Sequence, residues 1–284
     1  MSQELCPLSI ADITSELAEI REIAASNSSQ KMLEMALSCI DLTTLNSTDT
    51  YSSVKAFTQK VNQFAAKYPA IKNVAAICVY PNMAQTVKET LNVSGIKIAA
   101  VAGGFPSSMT FTEVKIEEVR LAVAAGADEI DIVLPLWAFL EGDFETCAHE
   151  ISSIKKNIGH AHLKVILESG VLSPDQIWQA SLLSIEAGAD FIKTSTGKLP
   201  QAASPEAALI MCLAIKQYHA ETGRKIGFKP AGGIVTCEEA MLYLTIVQEI
   251  LGNEWLTPEL FRIGASRLAN NLLEKITGNE TKHF

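Results

Sequence analysis

Short apolar, β-branched runs alternate with longer helical patterns along this chain, and that alternation restricts the fold more than any other feature. The runs fall at 37–40, 74–79, 97–101, 129–134, 163–167, 191–194, 226–229 and 261–264. Their spacing, roughly 20–40 residues, is about that of a βα unit. Helical patterns lie between them, among others at 117–125, 174–187, 204–218 and 237–251. Ser173 and Ser204 precede Pro174 and Pro205 and read as N-caps with proline in the first turn. Gly126 and Gly188 read as helix stops. Strict strand–helix alternation implies parallel strands with helices outside. Eight such units predict a closed (β/α)8 TIM barrel, with a doubly wound open sheet as the alternative. The length of 284 residues suits one barrel domain, which typically runs to about 250 residues.

One phrase occurs twice. Gly126-Ala-Asp-Glu-Ile-Asp131 and Gly188-Ala-Asp-Phe-Ile-Lys193 both run from helix end through a glycine turn and an aspartate into a strand. The echo predicts Asp131 and Lys193 at one level of the barrel. Ahead of the first strand, Ile10, Ile13, Leu17, Ile20 and Ile23 recur at helical spacing and predict one extra helix packed on the barrel. The chain thus divides into an N-terminal helical extension (1–34), the barrel (35–273) and a polar tail (274–284), of which 277–284 is expected to be mobile.

Charge narrows the function. A formal net charge of −9 argues against nucleic acid, which requires a basic face. It leaves room for a small phosphorylated substrate in a locally positive pocket. No apolar segment approaches the roughly 18 residues of a membrane span. The first ten residues lack the basic and apolar stretches of a signal peptide. Six scattered cysteines form neither a Cys-x-x-Cys pair nor a disulfide framework, so the expected location is the cytoplasm.

In such barrels the chemistry sits at the C-terminal ends of the strands and in the loops after them. Those positions hold Asp41, Thr43, Cys78, Asp131, Lys164, Glu168, Lys193 and Lys229. Lysine is almost never buried without a partner, yet Lys164, Lys193 and Lys229 lie inside three successive strands. At the ordinary pKa of about 10.4, only about one lysine in a few thousand is neutral at pH 7. A second cation and partial desolvation lower that value and make an amine nucleophilic. The pattern therefore predicts Schiff-base chemistry on a carbonyl compound, with a carboxylate such as Asp131 holding a neighbouring lysine charged. The residues alone do not choose among the three lysines. The loops after strands seven and eight, Pro230-Ala-Gly-Gly-Ile234 and Ile263-Gly-Ala-Ser-Arg267, are glycine-rich where barrels bind phosphate. The five histidines make no zinc pattern, and His160 and His162 precede strand five at the opposite face. No metal or cofactor is expected.

These motifs resemble those of the 2-deoxyribose-5-phosphate aldolases, a class I Schiff-base family, over nearly the whole barrel. The segments that carry the resemblance include Ile40-Asp-Leu-Thr-Thr-Leu-Asn46, Leu163-Lys-Val-Ile-Leu-Glu168, Gly188-Ala-Asp-Phe-Ile-Lys-Thr-Ser-Thr-Gly-Lys198, Gly227-Phe-Lys-Pro-Ala-Gly-Gly233 and Arg262-Ile-Gly-Ala-Ser266. The resemblance implies reversible cleavage of a phosphorylated deoxysugar to acetaldehyde and glyceraldehyde 3-phosphate, in a homo-oligomer (dimer or tetramer). It assigns the Schiff base to Lys193, the lowering of its pKa to Lys229, and a proton relay to Asp131 with Lys229. Asp41, Thr43, Cys78, Lys164 and Thr196 match its pocket. Lys198, Gly232, Gly233, Gly264 and Ser266 match its phosphate region, with Arg267 where a second serine is frequent. Some members end in a tyrosine that reaches the site, whereas this chain ends in His283-Phe284. The rival reading is another Schiff-base barrel aldolase, acting on a ketose or keto-acid phosphate. It would need groups to hold a second phosphate or a carboxylate, and no arginine clamp is evident at the strand ends.

Overall fold

The computed structural model describes residues 5–284. The expected N-terminal extension begins with residues 1–4, which lie outside the described residues. Among the described residues there are eight strands: β1 Ile40–Thr43, β2 Ala76–Val79, β3 Lys97–Val101, β4 Glu129–Val133, β5 His162–Ile166, β6 Phe191–Lys193, β7 Gly227–Lys229 and β8 Ile263–Ala265. The helices are α1 Ile10–Ser26, α2 Gln30–Ser38, α3 Tyr51–Lys67, α4 Ala84–Thr90, α5 Thr112–Ala124, α6 Leu136–Leu140, α7 Phe144–Asn157, α8 Pro174–Glu186, α9 Pro205–Thr222, α10 Cys237–Leu251 and α11 Arg267–Thr277. The strands pair in parallel from β7 through β1 to β8. Single bridges from Phe228 to Phe261 and from Ala231 to Gly264 bring the two ends together, so the sheet is a nearly closed barrel and the open alternative is excluded.

Strand periodicity divides the side chains between two environments. Ile40, Leu42, Ile130, Ile132, Ile192 and Phe228 belong to the buried apolar layer shared with the helices. The alternate positions point inward. On β2 and β3 they are small and apolar: Ala76, Cys78, Ala99 and Val101 form their own buried cluster with Leu45, flanked by Tyr80 and Phe105. On β1, β4, β5, β6 and β7 they are Asp41, Glu129, Asp131, Lys164, Lys193 and Lys229, all buried. The barrel interior is therefore half apolar and half ionic.

Local signals act as expected at the helix ends. Ser173 Oγ accepts from the Gln176 amide at 3.3 Å, Ser204 Oγ from the Ala207 amide at 3.1 Å. The two echoed aspartates play one role. Asp128 Oδ2 accepts from the Ile98 amide at 2.9 Å and Asp190 Oδ2 from the Leu163 amide at 2.8 Å, so each ties its turn to the start of a preceding strand.

Three expectations are corrected. The run at 37–40 is not the first strand. Leu33, Ala36 and Leu37 form the buried face of α2, whose N-cap is Ser29, and β1 starts only at Ile40. Two helices, not one, precede the barrel. α1 buries Ile13, Leu17, Ile20 and Ala24 against α9 and α10, but Ile10 and Ile23 remain exposed. The tail is docked. Phe284 stacks on Phe64 with ring centroids 5.4 Å apart, and Asn270 Oδ1 accepts from the amides of both His283 and Phe284 at 2.9 Å. His283 lies edge-on to Phe64 and Tyr68. Aromatic burial between α3 and α11 outweighs the polar composition on which mobility was predicted.

Candidate active site

Asp131 is the centre of the ionic half. Its Oδ2 accepts from Lys193 Nζ at 2.9 Å and from Lys229 Nζ at 2.8 Å, and its Oδ1 accepts from Lys164 Nζ at 2.9 Å. The echo thus brings Asp131 and Lys193 into direct contact. Beyond this centre each lysine differs. Lys229 also pairs with Asp41 Oδ2 at 2.5 Å, and Lys164 with Glu129 Oε2 at 2.5 Å. Lys193 has Asp131 as its sole ion-pair partner among the described residues.

Two further residues complete the network. Arg262 donates to Asp41 Oδ1 at 2.6 Å and to Glu129 Oε1 at 2.8 Å, and closes the cluster from below. The Phe191 ring lies 5.9 Å from both Lys164 Nζ and the Arg262 guanidinium. Sequence reasoning missed the roles of Glu129 and Arg262. The signal was there: Glu129 stands two residues before Asp131 and Arg262 two before Gly264, in the inward phase of their strands.

These contacts separate the three lysines. Burial disfavours a charged amine, but Asp131 and Glu129 outweigh it at Lys164 and push its pKa up. Asp131 and Asp41 do the same at Lys229. At Lys193 burial, aided by the neighbouring Lys229 cation, outweighs Asp131, and the pKa falls below the ordinary 10.5. Burial also opposes charge on Asp131, yet Lys164, Lys193 and Lys229 hold its carboxyl well below the usual carboxylate range.

Above the cluster lies a cavity of about 370 Å³, lined by Thr43, Asn46, Lys193, Thr196, Gly197, Lys198, Gly232, Gly233, Gly264, Ser266 and Arg267, among others. Nine residues predicted for the site therefore share one cavity. Asp131, Lys229, Asp41 and Lys164 lie beneath it as a buried floor. Cys78 sits in the apolar half, its thiol pushed up by burial. Of the three barrel lysines, Lys193 alone lines the cavity.

The cavity wall is shaped by backbone. Gly232 adopts φ +91° and lies so close to Gly197 and Ala202 that a Cβ would meet the Ala202 Cβ at 2.8 Å. Gly264 is needed for space: a Cβ there would stand 2.8 Å from the Ala231 Cβ and 3.3 Å from Lys229 Cε. Ser266 is the N-cap of α11 but makes no side-chain capping bond, and Arg267 opens the helix, exposed. A helix N-terminus, glycine amides, a hydroxyl and two cations, Lys198 and Arg267, give this end the groups that could hold an anion. Lys198 Nζ donates to the Leu45 carbonyl across the mouth.

Glu168 holds the other wall. It is buried and adopts φ +55° in the left-handed region, a strain of roughly 1–3 kcal/mol for a residue with a side chain. Its carboxylate accepts from the Thr196 amide at 3.0 Å and the Thr196 hydroxyl at 2.5 Å, which fixes the loop after β6. The Thr196 hydroxyl in turn accepts from the Lys198 amide at 3.1 Å.

A parallel barrel with an amine of lowered pKa lining its cavity, beside groups suited to an anion, is the arrangement expected of a barrel aldolase. The comparisons agree. Residues 35–253 match the profile of the DeoC/LacD family aldolases. The deoxyribose-phosphate aldolase of Mus musculus is 42% identical over 265 residues, covering 88% of this chain and 82% of its own. That of Homo sapiens is 41% identical over 265 residues with the same coverage. The tetrameric deoxyribose phosphate aldolase of Aeropyrum pernix superposes with a TM-score of 0.68 at 25% identity, over 94% of this chain and 98% of its own. The chain belongs to the DeoC/LacD family of aldolases and is a carbon–carbon lyase.

Proposed function

We propose that the protein cleaves 2-deoxy-D-ribose 5-phosphate reversibly to acetaldehyde and D-glyceraldehyde 3-phosphate, through a Schiff base on Lys193. One observation carries the choice of nucleophile: of the three barrel lysines, Lys193 combines access to the cavity with a depressed pKa. The neutral amine adds to the C1 aldehyde of the open-chain sugar, and loss of water gives a protonated imine. Removal of the C3 hydroxyl proton breaks the C2–C3 bond, with the imine as electron sink, and leaves an enamine. Glyceraldehyde 3-phosphate departs; protonation at C2 and hydrolysis then release acetaldehyde and restore Lys193. Asp131 and Lys229 relay the protons through water in the cavity. The chemistry requires neither metal nor organic cofactor.

Phosphate is held by Gly232, Gly233, Gly264, Ser266 and the start of α11, with Lys198 and Arg267 as cations. Thr43 and Thr196 flank the sugar. Arg262 uses its donors on Asp41 and Glu129, not in the cavity, which disfavours a donor substrate with a second phosphate or a carboxylate. We assign the reaction to the breakdown of deoxynucleoside-derived sugar phosphate in the cytoplasm. The Aeropyrum pernix tetramer supports a homo-oligomer. No helix among the described residues is long and apolar enough to cross a membrane.

The test is release of glyceraldehyde 3-phosphate from 2-deoxyribose 5-phosphate, followed by a coupled reductase. The parent protein is expected to turn over, and Lys193→Met to lose about 1,000-fold or more while its circular dichroism is unchanged. No turnover by the parent, or full turnover by the variant, contradicts the reading.

A further inference from the structure

The buried cluster has an uneven charge count. Three carboxylates, Asp41, Glu129 and Asp131, interlock with four basic groups, Lys164, Lys193, Lys229 and Arg262. Every member except Lys193 pairs with at least two groups of opposite charge. Balance is reached when Lys164, Lys229 and Arg262 are charged and Lys193 is not. Burying an uncompensated charge is costly, so the group with fewest counter-charges gives up its proton.

We propose that Glu129 and Arg262, which touch neither Lys193 nor the cavity, are positioning residues that set the charge balance leaving Lys193 as the free amine. Glu129 anchors Lys164 from below and so shares the load on Asp131. Arg262 forks between Glu129 and Asp41 and carries the same compensation to Lys229. The inference rests on Lys193 being the reactive amine. The charged and titratable groups around Lys193 are few. Asp131 on β4, Lys229 on β7 and Cys78 on β2 act on it directly. Lys164 on β5 and Asp41 on β1 stand behind them, with Glu129 and Arg262 below. β3 offers only Ala99 and Val101, and the loops above add Lys198, Glu168 and Arg267.

Charge balance makes predictions of opposite sign that simple loosening does not. Glu129→Gln removes an anion, so protonated Lys193 is less supported and its titration midpoint falls. Arg262→Gln removes a cation, so the midpoint rises. The double variant removes both and returns the midpoint towards the parent. Water admitted by a loosened cluster would solvate the ammonium and raise the midpoint in every variant.

The experiment is competitive acetylation of Lys193 by acetic anhydride across pH, quantified by peptide mass spectrometry. It requires no aldolase activity. Expected shifts are about one pH unit down for Glu129→Gln and about one up for Arg262→Gln, the scale of one charge several ångströms away in a protein interior. The acid limb of kcat/KM on 2-deoxyribose 5-phosphate moves in parallel. If Arg262→Gln does not fold, Glu129→Gln decides alone, because its predicted direction opposes that of loosening. An unchanged or raised midpoint in Glu129→Gln overturns the proposal. Labelling midpoints that move as predicted in a protein without turnover sustain the charge balance and reject the proposed function instead.

Discussion

At Lys193 a small difference in partners separates an amine whose pKa is lowered from two whose pKa is raised. Lys164 and Lys229 each meet two or more carboxylates, whereas Lys193 shares Asp131 with both of them. The lowered pKa of Lys193 fixes the sign of the pH response: amine-dependent turnover rises as pH climbs through that value and levels off before the ordinary 10.5. Lys229→Met removes the cation that helps to depress it and leaves Asp41 and Asp131 less compensated. The expected outcome is a loss of kcat at pH 7 of about 100-fold, partly regained at higher pH as Lys193 deprotonates. A pH–rate profile of the variant checks it; a loss independent of pH would assign Lys229 some other role. The sequence showed three lysines inside three successive strands. It could not show who pairs with whom, because the deciding contacts join β4 to β5, β6, β7 and the segment before β8, and β1 to β5, β7 and that same segment. Glu129 and Arg262 escaped notice for the same reason.

At the level of strands, loops and helices, most of the architecture was legible. Period-two runs, proline-led caps and glycine stops act locally, and the structure places seven strands on or close to their predicted runs. The miss at 37–40 has a physical cause: a short apolar run reads equally as a strand or as the last turn of a buried helix. The preceding Leu33 and Ala36, at helical spacing, settle it as part of α2. The docking of the tail was not legible, since it depends on an aromatic surface of α3 and on Asn270 of α11. The β8 glycine gives a test at this scale. Gly264→Ala would press a methyl group against Ala231 and Lys229. We expect a loss of about 1–3 kcal/mol in denaturant unfolding, with reduced activity because Lys229 is displaced. A variant of parental stability and activity would show that β8 yields at no cost.

Across the whole molecule, the same cluster links the candidate site to stability. The carboxyls of Asp131 and Glu129 titrate below their ordinary range, so their contribution is full above about pH 4 and is lost as pH falls through the folded values. Lys164 and Lys229 titrate above theirs, so their contribution is full below about pH 10 and is lost as pH rises through the folded values. Lys193 acts in the opposite sense: folding disfavours its proton, so stability gains as pH rises from its folded value towards 10.5. Thermal unfolding is therefore expected to show a broad plateau through neutral pH, falling in acid. A Tm that peaked sharply near the sequence pI of 5.1 would contradict this.

The most direct test of the account is to incubate the protein with acetaldehyde, reduce with borohydride and map the adduct by peptide mass spectrometry. A single ethyl adduct on Lys193 is the predicted result. An adduct on Lys164 or Lys229, or none on folded protein, would contradict it.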